Sequence, residues 1–87
     1  MIGRRTFPLT QPGDYGRVSG KKPDMVTDEI WDMHCRWQVK APDGSLASLN
    51  PAIHTVTEHA DGTITVEPSI VTSTWHGWLR AGVWTEA

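Results

Sequence analysis

The chain holds one cysteine, Cys35, one tyrosine and one phenylalanine, and each scarcity narrows what it is. A lone cysteine makes no internal disulfide, so the usual staple of small secreted domains is missing and a reducing compartment, the cytoplasm, is expected. No stretch approaches the roughly 18 consecutive apolar residues of a membrane-spanning helix. The opening "MIGRRTFPLTQPGD" has an arginine pair with no apolar segment behind it, which is not the pattern of a secretory signal. No window of about eleven residues keeps a 3.6-residue apolar period, so long amphipathic helices are not expected. Signatures of chemistry are also missing: there is no phosphate loop, no nucleophile elbow, and no C-x-x-C or H-x-x-x-H pair.

What the chain has is tryptophan. Three of its five lie within residues 73–84, "STWHGWLRAGVW". A chain of 87 residues buries only about 60–65% of the surface its unfolded form exposes. Each buried aromatic removes on the order of 150–250 Å² from water, so a small core has a structural use for indole. Charge is segregated beneath a net of −2. Residues 1–22 carry Arg4, Arg5, Arg17, Lys21 and Lys22 against Asp14, whereas residues 23–87 carry three basic and nine acidic residues. A basic arm ahead of an acidic body suits nucleic acid or an acidic partner, or is a solvated tail.

Residues 1–24, with Pro8, Pro12, Pro23, Gly3, Gly13, Gly16 and Gly20, show no sustained periodicity and read as an extended arm. Phe7, Leu9 and Tyr15 are placed to pin it to the body. Residues 25–87 read as a single small β-domain. In "IWDMHCRWQVK", Trp31, Met33, Cys35, Trp37 and Val39 alternate with polar residues, the pattern of a half-buried strand. "APDGS" at 41–45 supplies turn chemistry and 46–51 a short connection. Asp61-Gly62 between the β-branched runs 53–59 and 63–67 predicts a hairpin, and Pro68 predicts a stop to the ladder, an edge or a bulge. A second hairpin follows, in which Trp75, Gly77 and Leu79 face away from His76 and Trp78, with a turn at Arg80-Ala81-Gly82. The expected fold is all-β or nearly so: a small twisted antiparallel sheet or partly open barrel of about four to six strands with an extended N-terminal arm.

The blocks "HTVTEHADGTITVEPSI" and "WHGWLRAGVW" resemble small bacteriophage-encoded proteins, especially of phages of actinobacteria, in which a DGTITV-x-PSI hairpin precedes a WHG-aromatic-L-x-x-G-V-W ending. "PGDYG" and "APDGS" also resemble that family's arm and first turn. By order of motifs the likeness spans about residues 11–85, and 54–84 is its specific part. The family has no assigned activity, so the resemblance implies a short β-rich phage accessory product, working in the cytoplasm of the infected cell or carried in the virion. Some more distant relatives have cysteine pairs upstream of the "PSI" block that suggest a bound metal. This chain offers only His34 and Cys35 there, so no metal is carried over.

Read from the residues themselves, a zinc site is not expected. His34 and Cys35 are neighbours that point apart on a strand, and His54 and His59, five residues apart, also fall on opposite faces; only a cross-strand meeting, such as His54 or His76 with His34, would bring ligands together. A hydrolytic site drawn from Ser69, Ser73 or Thr74 with His76 and Glu58 or Asp61 lacks supporting motifs, and Asp28-Glu29 reads as a solvated loop. No catalytic residue, metal or cofactor is assigned. Trp31, Trp37 and Trp75 read as core. Trp78, His76, Arg80 and Trp84 are the candidate partner-binding residues, since exposed aromatic and cationic side chains are enriched at binding hot spots. The expected activity is non-enzymatic binding of a host or phage protein. A virion component, self-association, and nucleic-acid binding through Arg4, Arg5, Arg17, Lys21 and Lys22 are the alternatives.

Overall fold

The computed structural model describes residues 1–17, 23–34 and 36–87, the side chains of 32–34 excepted. The described residues form β1 (Arg4–Arg5), β2 (Asp14–Gly16), α1 (Asp28–His34), β3 (Gln38–Lys40), β4 (Leu46–Ser48), β5 (Thr55–Glu58), β6 (Ile64–Val71), β7 (His76–Arg80) and β8 (Val83–Glu86). The all-β class holds. Its eight strands exceed the expected four to six because several are only two or three residues long. They make two four-stranded sheets, ordered β1-β2-β3-β4 and β5-β6-β7-β8. The single described helix has seven residues, too few to cross a membrane.

Turn chemistry dictates three of the hairpins. Gly44, at φ 89°, closes the β3–β4 turn, where its N–H donates to the Ala41 carbonyl. Asp61 accepts from the Thr63 N–H and hydroxyl at the β5–β6 turn. At β7–β8 the turn is Ala81-Gly82, with φ 47° and 76°, between the paired Arg80 and Val83. Two successive positive φ values match the right-handed twist of the flanking strands. Pro68 sits in a bulge: β6 advances from Val66 to Ile70 while β7 advances only from Leu79 to Gly77. A residue without an N–H fits there because the ladder is interrupted.

The long strand expected from Ile30 to Lys40 is corrected. Residues 28–34 are helical instead, capped by Thr27, whose hydroxyl accepts from the Ile30 N–H and whose carbonyl accepts from Trp31. Asp28 and Glu29 place negative charge in the first turn, where the backbone donors are unsatisfied. Only the end of the alternation is a strand: Trp37 and Val39 are buried, and Gln38 and Lys40 less so. Trp31 is half-buried rather than core; Cys35 and the side chains of Met33 and His34 lie outside the described residues.

The N-terminal segment is corrected too. Rather than an arm lying outside a 25–87 domain, residues 1–16 are woven into both sheets. Gly3 N donates to Gly82 O and Trp84 N to Met1 O, each at 2.7 Å, and Ile2 bridges Val83. The chain then crosses to the other sheet, where β1 runs parallel to β2 and Thr6 N donates to Tyr15 O. This crossover joins the sheets on one side. On the other, β4 and β5 are the terminal strands.

One apolar cluster fills the space between. Tyr15, Trp37, Val39, Ala41 and Leu49 come from one half, and Ile64, Val66, Ile70, Trp75, Leu79 and Trp84 from the other. Full burial of a side chain such as Ile64 or Leu79 contributes about 1.5–3 kcal/mol. Trp75 meets Trp84 edge to face, with ring centroids 5.3 Å apart. Gly77 makes room for the Trp75 indole, which any Cβ there would strike.

Candidate functional site

Alternation along β7 sorts its side chains. Trp75, Gly77 and Leu79 turn inward and are buried, and His76, Trp78 and Arg80 line the outer face. There the Arg80 guanidinium lies 5.3 Å from the centre of the Trp78 ring, and the His76 and Trp78 rings lie 6.0 Å apart. Arg80 Nε is 3.7 Å from Glu67 Oε1, and His76 Nε2 is 3.0 Å from Ser69 Oγ. The three expected residues therefore form one stripe.

Trp84 does not belong to it. Its side chain is only 3% exposed, packs on Trp75, and donates from Nε1 to the Gly13 carbonyl at 2.9 Å. In the β7–β8 register Trp84 opposes Leu79, so it takes the inward face. The same register places Val83 opposite Arg80 and Thr85 opposite Trp78 on the outer face. Ile2, bridged to Val83, extends that face with an apolar side chain 85% exposed; Val83 is 43% exposed. Sequence reasoning missed Ile2 and Val83. The alternation in "VWTE" places Val83 on the outer side, but nothing local links it to residue 2.

No family model, curated protein or solved structure matches the chain.

Two of the described basic residues of the N-terminal segment, Arg4 and Arg5, are held in ion pairs. Arg4 pairs with Asp14 at 3.2 Å, and Arg5 with Glu58 at 2.9 Å and with the Gly62 carbonyl at 3.0 Å. The Arg5 hydrogen bond and charge hold the Glu58 carboxyl below the usual carboxylate range. Arg5 and Arg17 also stack on Trp37, at 4.9 and 5.3 Å from the ring centre. Lys21 and Lys22 lie outside the described residues.

Ser69 and His76 stand at the distance of a nucleophile and its base. The carboxylates suggested as the orienting third group are engaged elsewhere, Glu58 by Arg5 and Asp61 by Thr63. Among the described residues no three His, Cys, Asp or Glu side chains converge as metal ligands. His54 and His76 both approach Ser69, the first at its carbonyl and the second at its hydroxyl.

Proposed function

We propose that the protein acts without catalysis, by docking another protein against the outer face of the β7–β8 hairpin. One observation carries this reading: Ile2, Val83, Trp78 and Arg80 lie side by side on that face, an aromatic-cationic stripe continued by exposed aliphatic side chains. A partner suited to it has an apolar recess for the indole and acidic groups at the rim for Arg80, which is only loosely held by Glu67. The likeness of residues 54–84 to phage-encoded proteins supports seeking that partner in an infected cell, among host or phage proteins. The virion reading, in which a free arm threads a neighbouring subunit, has less support, because residues 1–16 are engaged within the protein's own sheets. Nucleic-acid binding is weakened by the ion pairs of Arg4 and Arg5.

The test is affinity capture from infected-cell lysate, with and without nuclease, using wild-type protein and the Trp78→Ala variant. A captured protein that survives nuclease and is lost with Trp78→Ala, while the variant keeps its unfolding midpoint within a few degrees, is the expected result. Retention by Trp78→Ala, or capture that vanishes with nuclease, refutes the reading.

A further inference from the structure

A second surface, lined by none of the stripe residues, lies where β4 and β5 end their sheets. Leu49 and Pro51, after β4, and His54 and Val56, at the start of β5, face Arg17, Arg36 and Trp37 across a cleft of about 240 Å³. Its composition is unusual for a gap between sheets, with two guanidinium groups, an imidazole and an indole against an aliphatic wall.

Among the described residues the charges of Arg17 and Arg36 in this cleft are not matched by a carboxylate in contact. Arg5 and Arg17 both stack on Trp37, but the Glu58 carboxylate bonds Arg5. Glu58 feels the positive charge of Arg17 at longer range, yet neither Arg17 nor Arg36 has a carboxylate in ion-pair contact among the described residues. His54 adds a polar defect. Its Nε2 faces the Ser69 carbonyl at 3.1 Å, and because a carbonyl only accepts, the proton sits on Nε2. Among the described residues Nδ1 is left buried without a partner, which costs about 1–3 kcal/mol; as an unprotonated nitrogen it accepts, so it would be met by a donor and not by a phosphate oxygen.

Size and charge together select a ligand class. A cavity of roughly 150 Å³ holds a benzene molecule, and pockets for drug-sized ligands begin near 300 Å³. The cleft therefore fits one ring with one charged group. Two guanidinium groups favour a doubly charged, multi-oxygen head, which phosphate supplies and which Arg matches with paired N–H donors. Trp37, Leu49 and Val56 suit the ring.

We propose that this cleft binds a small phosphate monoester with a single-ring body, a site separate from the protein-docking face. The experiment is titration of the protein with phenyl phosphate, followed by calorimetry and by the indole N–H signals in NMR. Inorganic phosphate, benzenesulfonate and a short single-stranded oligonucleotide serve as comparison probes. Phenyl phosphate is expected to bind and to move the Trp37 indole signal while leaving that of Trp78 in place. Binding should weaken about tenfold or more in Arg17→Gln and in Arg36→Gln, the usual scale for a lost charged hydrogen bond, and stay unchanged in Arg80→Gln. Benzenesulfonate, singly charged, and inorganic phosphate, without a ring, should each bind at least about tenfold more weakly.

Equal binding of inorganic phosphate, tighter binding of the oligonucleotide, or indifference to both arginine changes overturns the proposal. Arg17 is exposed and Arg36 half-buried, and neither has a carboxylate partner among the described residues, so the variants are expected to fold. Should either fail to, competition between phenyl phosphate and the comparison probes on the wild-type protein decides the matter alone.

Discussion

Asp14 is buried, with a side chain 2% exposed, yet it stays charged. Burial alone would raise its pKa. The Thr10 and Gln11 backbone N–H groups and the Arg4 guanidinium overcome that effect and hold it at about 2. A pKa lowered from 3.8 means the carboxylate contributes stability that is complete above pH 4 and disappears as the pH falls toward 2, on the order of 2 kcal/mol. Asp14→Asn should therefore be less stable than wild type by about 2 kcal/mol at pH 7 in urea unfolding. That gap should close as the pH falls from 4 to 2; a gap independent of pH would mean that the lost hydrogen bonds matter and the charge does not. At this scale the sequence was partly legible. Alternation put His76, Trp78 and Arg80 on one face and Trp75 and Leu79 on the other, but Trp84 looked free because the groups that bury it, at Met1 and Gly13, are some seventy residues or more away in the chain.

The β7–β8 turn carries a strain that sequence makes easy to relieve. Ala81 holds φ at 47°, in the left-handed region where a non-glycine residue pays about 1 kcal/mol and asparagine much less. Gly82 follows at φ 76°, with no space for a Cβ beside the Tyr15 hydroxyl and Thr63. Ala81→Asn should raise the thermal midpoint by roughly 3–6 °C, as expected for about half to one kcal/mol in a domain of this size; no change would mean that the turn is not strained. Hairpins were legible because turn residues act locally. Helix α1 was not, since a two-residue apolar alternation through Trp31 and Met33 competed with a short cap signal at Thr27-Asp28-Glu29, and the cap prevailed. The bulge at Pro68 was anticipated beside a stop to the ladder and an edge position, and the pairing of β6 with β5 and β7 selected it.

Across the molecule a few polar side chains bind one sheet to the other. Arg5 of β1 reaches Glu58, the Gly62 carbonyl and the face of Trp37. The β3–β4 turn meets the β6–β7 loop where Thr74 donates to Asp43 and the Ser45 and Thr72 hydroxyls lie 2.7 Å apart. Arg5→Ala should lower the thermal midpoint by about 5 °C, chiefly through loss of the stacking and the carbonyl bond. Arg80→Ala, whose ion pair at 3.7 Å is exposed on both sides, should shift it far less. Equal shifts would show that the inter-sheet position of Arg5 confers nothing. Such long-range links, like the cleft assembled from residues 17, 36–37 and 49–56, are invisible in a local reading because no spacing rule records which strands meet.

The crossover of residues 1–6 also bears on time. Residues 1–3, which help to complete both sheets, find their partners at 82–84, some eighty positions along the chain. Contacts so distant along the chain slow folding, since each must close a long loop before any enthalpy is returned. β1 has a nearby partner in β2, but residues 1–3 have none on β8 until residues 82–84 are in place. Completion of this fold therefore waits on its most distant contacts, and until they form the unpaired strand edges are where the chain is most exposed to a chaperone or to another copy of itself.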